Sequence, residues 1–269
     1  MRLAIDGLGL VGPFGLGSGA LQAAQNVSAM PAQADVAELA RFFNKRELRR
    51  VSHFCRLALL GATLAVEDGC FAGIDKERIG LILATGHGPV ATTFDFLDSM
   101  YEFGAKLASP TAFSTSIHNV AASTISIMSG YTGPCLTVNQ FAMSWASALL
   151  TAWCWLAESR VERVLVGAVD EYQPLLVEAA RQADCPLATG EGAVFLALSA
   201  AESGRYGLIT DVAMGNLAPP ASPSPLPYEL PAGQAFALAA ALVNGAFGQP
   251  LVATEPDGAW STITLGPPL

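Results

Sequence analysis

The chain has 269 residues, of which 52% are hydrophobic and 14% are charged, and its formal net charge is −9. This composition excludes intrinsic disorder, because chains that stay unfolded are poor in apolar residues and rich in net charge. The negative charge argues against nucleic-acid binding, because it repels a phosphate backbone.

Neither the apolar runs nor the cysteines indicate a membrane or metal protein. The longest apolar run, residues 141–156, carries three hydroxyl side chains and is shorter than the roughly 20 residues that a membrane span needs. The N-terminus has no continuous apolar stretch, so we expect no signal peptide. The cysteines form no Cys-x-x-Cys pair or Cys/His cluster; they are Cys55, Cys70, Cys135, Cys154 and Cys185. We therefore predict a cytoplasmic protein with reduced thiols, no metal and no cofactor.

Hydrophobic patterns predict strands in alternation with helices. Residues 1–6 predict a short strand before a glycine-rich turn, and apolar residues at three- and four-residue spacings predict a long helix over 45–71. Further helices are predicted over 119–129 and 142–157, and strands over 79–85, 135–139, 163–169 and 193–199. This alternation indicates an α/β fold with a largely parallel sheet.

A proline-rich segment divides the chain. Residues 218–231 contain too many prolines for regular structure. We interpret them as a linker between a main domain, residues 1–217, and a tail, residues 232–269. The tail is expected to hold an Ala-rich helix and up to two strands and to pack on the same domain.

Residues 7–12 (GLGLVG) fit the Gly-x-Gly-x-x-Gly pattern of a dinucleotide-binding turn. That motif should open a helix, but a proline and two further glycines follow at once. The acidic candidate, Asp35, lies in a polar stretch and not at a strand end. We therefore interpret the pattern as a plain tight turn.

The helix predicted over 142–157 has no charged residue and carries three tryptophans on different faces, Trp145, Trp153 and Trp155. A helix that is apolar on all sides must be covered on all sides. We therefore expect the tail or a partner protein to cover it, because an exposed apolar patch of that size is a liability.

Five segments carry a family resemblance. They are LAIDGLGLVGPFG (3–15), RRVSHFCRLALLGATLAVEDG (49–69), SPTAFSTSIHNVAASTISIMSGYTGP (109–134), VLVGAVDE (164–171) and GEGAVFLAL (190–198). In this order and spacing they resemble the β-ketoacyl synthases, the condensing enzymes of thiolase fold, over about residues 1–215. The resemblance implies a thiolase-like N-terminal half, with a mostly parallel sheet flanked by helices, and a C-terminal half that is strongly reduced.

The residues that such a synthase needs for catalysis are missing. In the family a cysteine nucleophile stands nine residues after the glycine of the Gly-Pro turn, at a strand-to-helix elbow. Counting nine from Gly133 gives Ala142, and the elbow, residues 139–144, contains no cysteine. The two family histidines lie in the C-terminal half, whereas no histidine follows His118 here. Because alanine cannot form a thioester, we expect no catalytic residue and no condensation by this chain alone.

A few polar residues leave an enzymatic hypothesis open. His118 could be a base, but its place next to the family's subunit interface favours a structural role. Ser144 and Ser147 lie near the elbow without the Gly-x-Ser-x-Gly pattern of serine hydrolases. Chain length factors of aromatic polyketide synthases carry Gln in place of the cysteine, and Gln140 stands two positions before Ala142. Its equivalence to that Gln is left open.

The resemblance implies an inactive ketosynthase-like subunit, most similar to chain length factors and to the small partner subunits of bacterial aryl polyene ketosynthases. It implies a heterodimer with an active β-ketoacyl-ACP synthase, formed through the strand before the elbow, in type II fatty-acid-like or polyketide biosynthesis. The acidic acyl carrier protein would then dock on the partner, because this chain is itself acidic. Competing hypotheses are a stand-alone acyl-thioester hydrolase or decarboxylase and an acyl-binding module.

The resemblance also implies which residues meet the acyl chain. In the family the segment matching 111–113 points across the dimer interface into the neighbouring acyl pocket. The residues expected at the tunnel or the interface are Thr111, Ala112, Phe113, Ile117, His118, Asn119, Gln140 and Phe141. The small side chain at Ala112 leaves room, so we expect a long tunnel floored by Phe113 or Ile117.

Overall fold

The computed structural model describes residues 2–24, 33–69, 71, 73–183, 191–217, 230–255 and 257–268. The strands are β1 (Leu3–Gly12), β2 (Gly15–Leu16), β3 (Ile79–Ala84), β4 (Cys135–Val138), β5 (Arg163–Asp170), β6 (Gly192–Ser199), β7 (Gly207–Asn216), β8 (Pro250–Thr254) and β9 (Ala259–Gly266). The helices are α1 (Gly17–Ala24), α2 (Lys45–Leu48), α3 (His53–Asp68), α4 (Val90–Phe103), α5 (Pro110–Thr115), α6 (Val120–Ser129), α7 (Ser144–Ala157), α8 (Pro174–Gln182) and α9 (Pro231–Val243). Short 3₁₀ turns lie at Ala37–Arg41, Lys76–Arg78, Ala105–Leu107 and Phe141–Met143.

The strands of the described chain form one sheet in the order β4-β3-β5-β6-β1-β7-β9-β8, with β2 paired to β1. The predicted α/β class with flanking helices is confirmed. The sheet is mixed where a largely parallel one was expected, because β3 is parallel to β4 and β5 whereas β6 runs antiparallel to both β5 and β1. Alternation of strands and helices along the sequence does not fix the direction in which each strand enters the sheet.

The GLGLVG pattern at 7–12 lies inside β1 and not in a tight turn. A Cβ at Gly9 would overlap the carbonyl oxygen of Gly61, and a Cβ at Gly7 would lie 2.5 Å from that of Ala65. The two glycines therefore let α3 pack directly on the backbone of β1. The pattern marks a close helix–strand contact, and no helix opens at its end as a dinucleotide site requires.

The helix predicted over 45–71 is divided into α2 and α3. Asn44 and Glu47 form a capping box at the start of α2. Ser52 has an extended backbone (φ −62°, ψ 163°), and its hydroxyl accepts a hydrogen bond from the Cys55 N–H. An N-cap residue has a non-helical conformation. Ser52 therefore interrupts the single helix that the apolar spacing predicted.

The tail covers the uncharged helix α7. Trp145 and Leu149 of α7 are fully buried in one apolar cluster with Leu238 and Leu242 of α9 and Ile263 of β9. Strand β9 also pairs antiparallel with β7, so the tail adds both a helix and two strands to the main body. We expected either the tail or a partner protein to cover α7, and in the structure the tail does so. Residues 218–229 of the predicted linker lie outside the described residues.

Within the described ranges, no helix is long and apolar enough to cross a membrane. The same ranges contain no cluster of three or more His, Cys, Asp or Glu placed to hold a metal ion. Cys55 is buried, whereas Cys135 and Cys154 are exposed thiols. Cys70 and Cys185 lie outside the described part of the chain.

Candidate functional site

The turn between β4 and α7 is a strand-to-helix elbow with Phe141 at its apex. Phe141 has a φ of 45°, in the left-handed region that bulky residues rarely adopt. Its side chain is 49% exposed, whereas Ala142 is fully buried. A nucleophile elbow presents its reactive side chain from a strained, exposed position of this kind. Phe141 is therefore the residue of this elbow that combines the strained backbone with an exposed side chain.

Ala142, the position given by counting along the sequence, faces the interior. It packs with Met143 against Ala253 of β8, and its carbonyl accepts a hydrogen bond of 2.7 Å from the Gln234 side chain of α9. The sequence count and the apex of the elbow thus differ by one residue. A count of positions cannot show at which residue the backbone strain falls.

Two serine hydroxyls form hydrogen bonds to the elbow, one with its backbone and one with the Gln140 side chain. The Ser144 hydroxyl accepts a hydrogen bond of 2.7 Å from the Gln140 N–H and donates one of 2.8 Å to the Phe141 carbonyl. Ser147 donates a hydrogen bond of 2.5 Å to Oε1 of Gln140. Among the described residues neither hydroxyl is hydrogen-bonded to a histidine, so they form no Ser–His pair of the kind that activates a nucleophile. Gln140 is held beside the apex.

One histidine contacts the elbow, and a second contacts the loop that carries the first. The ring of His87 lies edge-on to that of Phe141, with centroids 5.9 Å apart. His118 packs on the backbone of Gly88, where a Cβ would lie 2.8 Å from the imidazole Cδ2. Burial, together with the proximity of His118, lowers the pKa of His87, so its ring is neutral near pH 7. The structure thus places His87 against Phe141 and His118 against Gly88, the residue after His87.

Sequence reasoning missed His87, although a signal was present. His87 lies between two glycines directly after a buried apolar strand. Because β3 and β4 are parallel, the segments that follow them meet at the same edge of the sheet. Polar residues after such strands are candidates for a site, and His87 and Gln140 both fit that rule.

A buried carboxylate anchors the loop that carries His87. Asp170, at the end of β5, accepts hydrogen bonds from the Gly86 N–H at 2.8 Å and from the Thr85 hydroxyl at 3.2 Å. The side chain of Asn139 donates to the Gly86 carbonyl at 3.1 Å. Desolvation raises the pKa of Asp170 to about 6, against the effect of its hydrogen-bond donors. The strand ends of β3, β4 and β5 are thereby tied into one polar layer beneath the elbow.

The other predicted site residues lie on α5 and just after it, in a region with exposed apolar residues. Thr111, Ala112 and Phe113 belong to α5, and Ile117 and the exposed Asn119 lie between α5 and α6. We call the exposed apolar residues of this region the α4–α5 surface; they are Leu97, Tyr101, Phe103, Leu107, Phe113 and Ile117. The ring of Phe113 packs against Phe96 of α4, with centroids 5.4 Å apart.

A second exposed apolar region follows the edge of the sheet. β4 is the terminal strand of the sheet and pairs with β3 alone among the described strands. Leu136 on β4 is 40% exposed, and Ile127 on α6 is 79% exposed. Unpaired strand edges and exposed apolar residues are features of protein interaction surfaces.

Comparison with known proteins decides the family. The family described as "Beta-ketoacyl synthase, N-terminal domain" matches residues 21–215. The chain belongs to the β-ketoacyl synthase family. No protein in the curated collection of known sequences matches it significantly. In this β-ketoacyl synthase relative, residues 139–144, which include the elbow, contain no cysteine.

Solved structures of ketosynthases and chain length factors share the fold. The structure titled "The ishigamide ketosynthase/chain length factor" is 18% identical with a TM-score of 0.79, and the match covers 100% of both chains. A ketosynthase (ApeO) in complex with its chain length factor (ApeC) from Xenorhabdus doucetiae is 19% identical with a TM-score of 0.69, covering 98% of this chain and 99% of that one. A β-ketoacyl synthase from Burkholderia phymatum STM815 is 13% identical with a TM-score of 0.76, covering 99% of each chain. These likenesses confirm the predicted thiolase-like fold.

Proposed function

We propose that this member of the β-ketoacyl synthase family is a non-catalytic subunit of the chain length factor type, which pairs with an active β-ketoacyl-ACP synthase and shapes its acyl tunnel. The observation that carries the proposal is Phe141, a phenylalanine on the strained, exposed apex of the elbow. A phenyl ring cannot form a thioester, so the elbow lacks covalent chemistry. We assign Phe141, one residue before Ala142, as the counterpart of the family nucleophile.

The surroundings of the apex support the absence of catalysis. Acyl transfer needs backbone N–H groups that are free to bind a developing oxyanion. At this elbow the Met143 N–H donates a hydrogen bond of 3.0 Å to the Gln140 carbonyl and is not free. Desolvation raises the pKa of the Glu255 carboxyl, and the nearby backbone N–H groups of Met143 and Ala142 lower it. One N–H group of the elbow is thus already paired, and an internal carboxyl group lies close to the elbow where a synthase would stabilise negative charge.

The exposed apolar surfaces support a partner. The residues of the α4–α5 surface, Leu136 and Ile127 are exposed in the isolated chain, and exposed large apolar residues of this kind are typical of an interface. Because β4 is an unpaired edge, it offers backbone donors and acceptors to a second chain. One structure with the same fold holds a ketosynthase in complex with its chain length factor, and another an acyl carrier protein of a type II polyketide synthase in complex with its ketosynthase. We propose that this chain works in a type II polyketide or aryl polyene system.

The acyl carrier protein is proposed to reach the complex through the partner. This chain has a net charge of −9, and like charges on two proteins disfavour their encounter. The active subunit would supply the cysteine nucleophile and the histidines, while this chain closes and lengthens the tunnel.

Co-expression with a cognate ketosynthase tests the proposal. We expect a 1:1 complex by size-exclusion chromatography with mass detection, and condensation activity only in that complex. Iodoacetamide should block activity by labelling the cysteine of the partner and should leave residues 139–144 of this chain unmodified. Condensation by this chain alone, or its failure to bind any ketosynthase, would contradict the proposal, and thioester hydrolysis by the isolated chain would favour the hydrolase hypothesis.

A further inference from the structure

Two consecutive carboxylates at the end of β5 each cap a different helix. Asp170 Oδ2 accepts a hydrogen bond of 2.9 Å from the Ala232 N–H in the first turn of α9. Glu171 Oε1 accepts one of 2.8 Å from the Ala91 N–H in the first turn of α4. Neither helix has a side-chain hydrogen bond from its own N-cap residue. Since the first N–H groups of a helix need acceptors, the two carboxylates serve as caps from outside.

The two capped helices carry the two halves of the proposed function. From α9, Gln234 donates to the Ala142 carbonyl beneath the elbow. From α4, Leu97 and Tyr101 contribute to the α4–α5 surface. Asp170 and Glu171 therefore hold, from one strand end, both α9, which supports the elbow, and α4, which is proposed to meet the partner.

We propose that Asp170 and Glu171 are positioning residues. Asp170 holds the start of α9 beneath the elbow, and Glu171 holds the start of α4 at the proposed partner surface. Uptake of a proton by Glu171 weakens the attachment of α4. An ionised carboxylate is a stronger acceptor than a neutral acid and interacts favourably with the positive end of the helix dipole. Protonation leaves the Glu171 side chain in place but weakens its hold on the Ala91 N–H.

The burial of the pair supports proton uptake near neutral pH. Asp170 and Glu171 are 5% and 9% exposed. Desolvation raises the pKa of Asp170 to about 6 and that of Glu171 to about 7. The hold on α4 is therefore expected to weaken as pH falls through about 7, and the hold on α9 only at about 6.

The charged groups that face Glu171 come from three elements. His53, at the start of α3, lowers the pKa of Glu171, whereas Glu191, just before β6, and Asp95, on α4, raise it. Nε2 of His53 lies 2.6 Å from Oε1 of Glu191. The hydrogen bond to Glu191 raises the pKa of His53, against burial and the charge of Arg56. Glu171 thus lies in a cluster of proton-binding groups in which removal of a neighbour changes its titration.

Hydrogen–deuterium exchange of the full chain in its ketosynthase complex tests the inference, followed across pH and corrected for the intrinsic exchange rate. We expect the amides of the first turn of α4 to exchange roughly 3- to 30-fold faster below the Glu171 transition, the range that loss of a helix cap gives. Those of α9 should change only at the lower pH of the Asp170 transition. Exchange in α4 that does not depend on pH would overturn the inference.

Two amide variants separate the roles. Glu171→Gln keeps the shape and an acceptor oxygen but does not titrate, so it should abolish the pH step in α4 and leave the step in α9. Asp170→Asn should do the reverse. A step in α4 that survives Glu171→Gln would contradict the assignment. If an amide variant does not fold, His53→Gln provides a third test. His53 lowers the pKa of Glu171, so its loss should move the pH-dependent change of exchange in α4 to higher pH.

The consequence for partner binding rests on the proposed function. Measurements on the same samples distinguish a failure of the proposed function from a failure of the capping roles. The affinity for the ketosynthase should fall with the α4 step and should lose this pH dependence in Glu171→Gln. If no ketosynthase binds at any pH, the proposed function fails, while exchange in the isolated chain still decides the capping roles. If exchange shows the step but affinity is flat, α4 is not the element that meets the partner.

Discussion

The imidazole of His87 stands edge-on to the phenyl ring of Phe141, with centroids 5.9 Å apart and ring planes at 68°. The contact joins the loop after β3 to the elbow after β4. Edge-to-face aromatic pairs contribute about 0.5–1.5 kcal/mol, and a bulky residue in the left-handed region costs about 1–3 kcal/mol. The ring contact therefore offsets part of the strain at Phe141, and an aromatic side chain suits this apex better than a small one.

The first prediction compares thiols at adjacent positions. Phe141→Cys should place its sulfur at the exposed apex and react readily with iodoacetamide, whereas Ala142→Cys should be protected because Ala142 is fully buried. Peptide mapping by mass spectrometry separates both from the exposed Cys135 and Cys154, which serve as internal references. Faster labelling of Ala142→Cys than of Phe141→Cys would show that Ala142 is the apex. Neither variant alone should condense acyl groups.

Much of the sheet was predictable because its central strands are continuous apolar runs. The strands predicted over 79–85, 163–169 and 193–199 are observed as Ile79–Ala84, Arg163–Asp170 and Gly192–Ser199. These strands are buried on both faces, and burial on both faces produces an unbroken apolar run in the sequence.

The apex of the elbow and its histidine neighbour were not predictable in the same way. The left-handed backbone of Phe141 could not be predicted from the residue type, because bulky residues rarely adopt that region. His87 reaches the elbow because β3 lies next to β4 in the sheet, and periodicity does not give strand order. The division of the helix at Ser52 was visible as a capping signal, but the regular apolar spacing masked it.

The second prediction concerns pH and stability. The pKa of Asp170 is about 6 in the folded chain against its ordinary 3.8, and that of Glu171 is about 7 against 4.5. Between these limits the folded chain holds more protons than the unfolded one. The stabilisation from these groups is therefore fully present below the unfolded pKa and is lost as pH rises through the folded pKa. For Asp170 the upper limit is about 3 kcal/mol.

Urea unfolding of the wild type and of Asp170→Asn at acidic and alkaline pH checks this prediction. The free energy of unfolding of the wild type should fall more steeply with rising pH than that of the variant. Asp98→Asn, on the exposed face of α4, makes the same chemical change at the surface and should leave the pH dependence intact. Equal slopes for wild type and Asp170→Asn would show that this carboxylate titrates normally.

The third prediction tests the β4 edge as the partner interface. Leu136→Asp places a charge among exposed apolar residues on the unpaired strand, and a buried unpaired charge is costly. We expect the Kd for the ketosynthase to rise by roughly 30-fold or more, as for truncation of a central interface residue. Leu217→Asp is the matched control, because Leu217 is 79% exposed and follows β7, on the far side of β3, β5, β6 and β1 from the β4 edge. Equal affinities for the two variants would exclude the β4 edge.

The fourth prediction concerns the length of the acyl tunnel. Ala112 lies on α5 in a partly buried position, next to Phe113, whose ring is 59% exposed and packs on Phe96. If the proposed acyl tunnel runs past Ala112 in the complex, Ala112→Phe adds most of a ring to a packed apolar channel, and overpacking of this kind costs about 1–3 kcal/mol. The variant pair should still assemble but release products shorter by roughly one or two two-carbon extensions, since each extension adds two methylene-sized groups to the channel. Mass spectrometry of the released products measures the distribution of their chain lengths.

The control for the length prediction makes the same alanine-to-phenylalanine change at a different position. Ala105→Phe adds the same ring at an exposed site of the turn between α4 and α5, and it should leave the product length unchanged. The reciprocal variant Phe113→Ala should lengthen products if Phe113 forms the floor, and Ile117→Ala should do so if the floor lies at Ile117. An unchanged distribution in Ala112→Phe with an intact heterodimer would mean that α5 does not line the tunnel. Length control by this chain would then require a wall formed by other residues, and Phe141 at the apex of the elbow is the next position to vary.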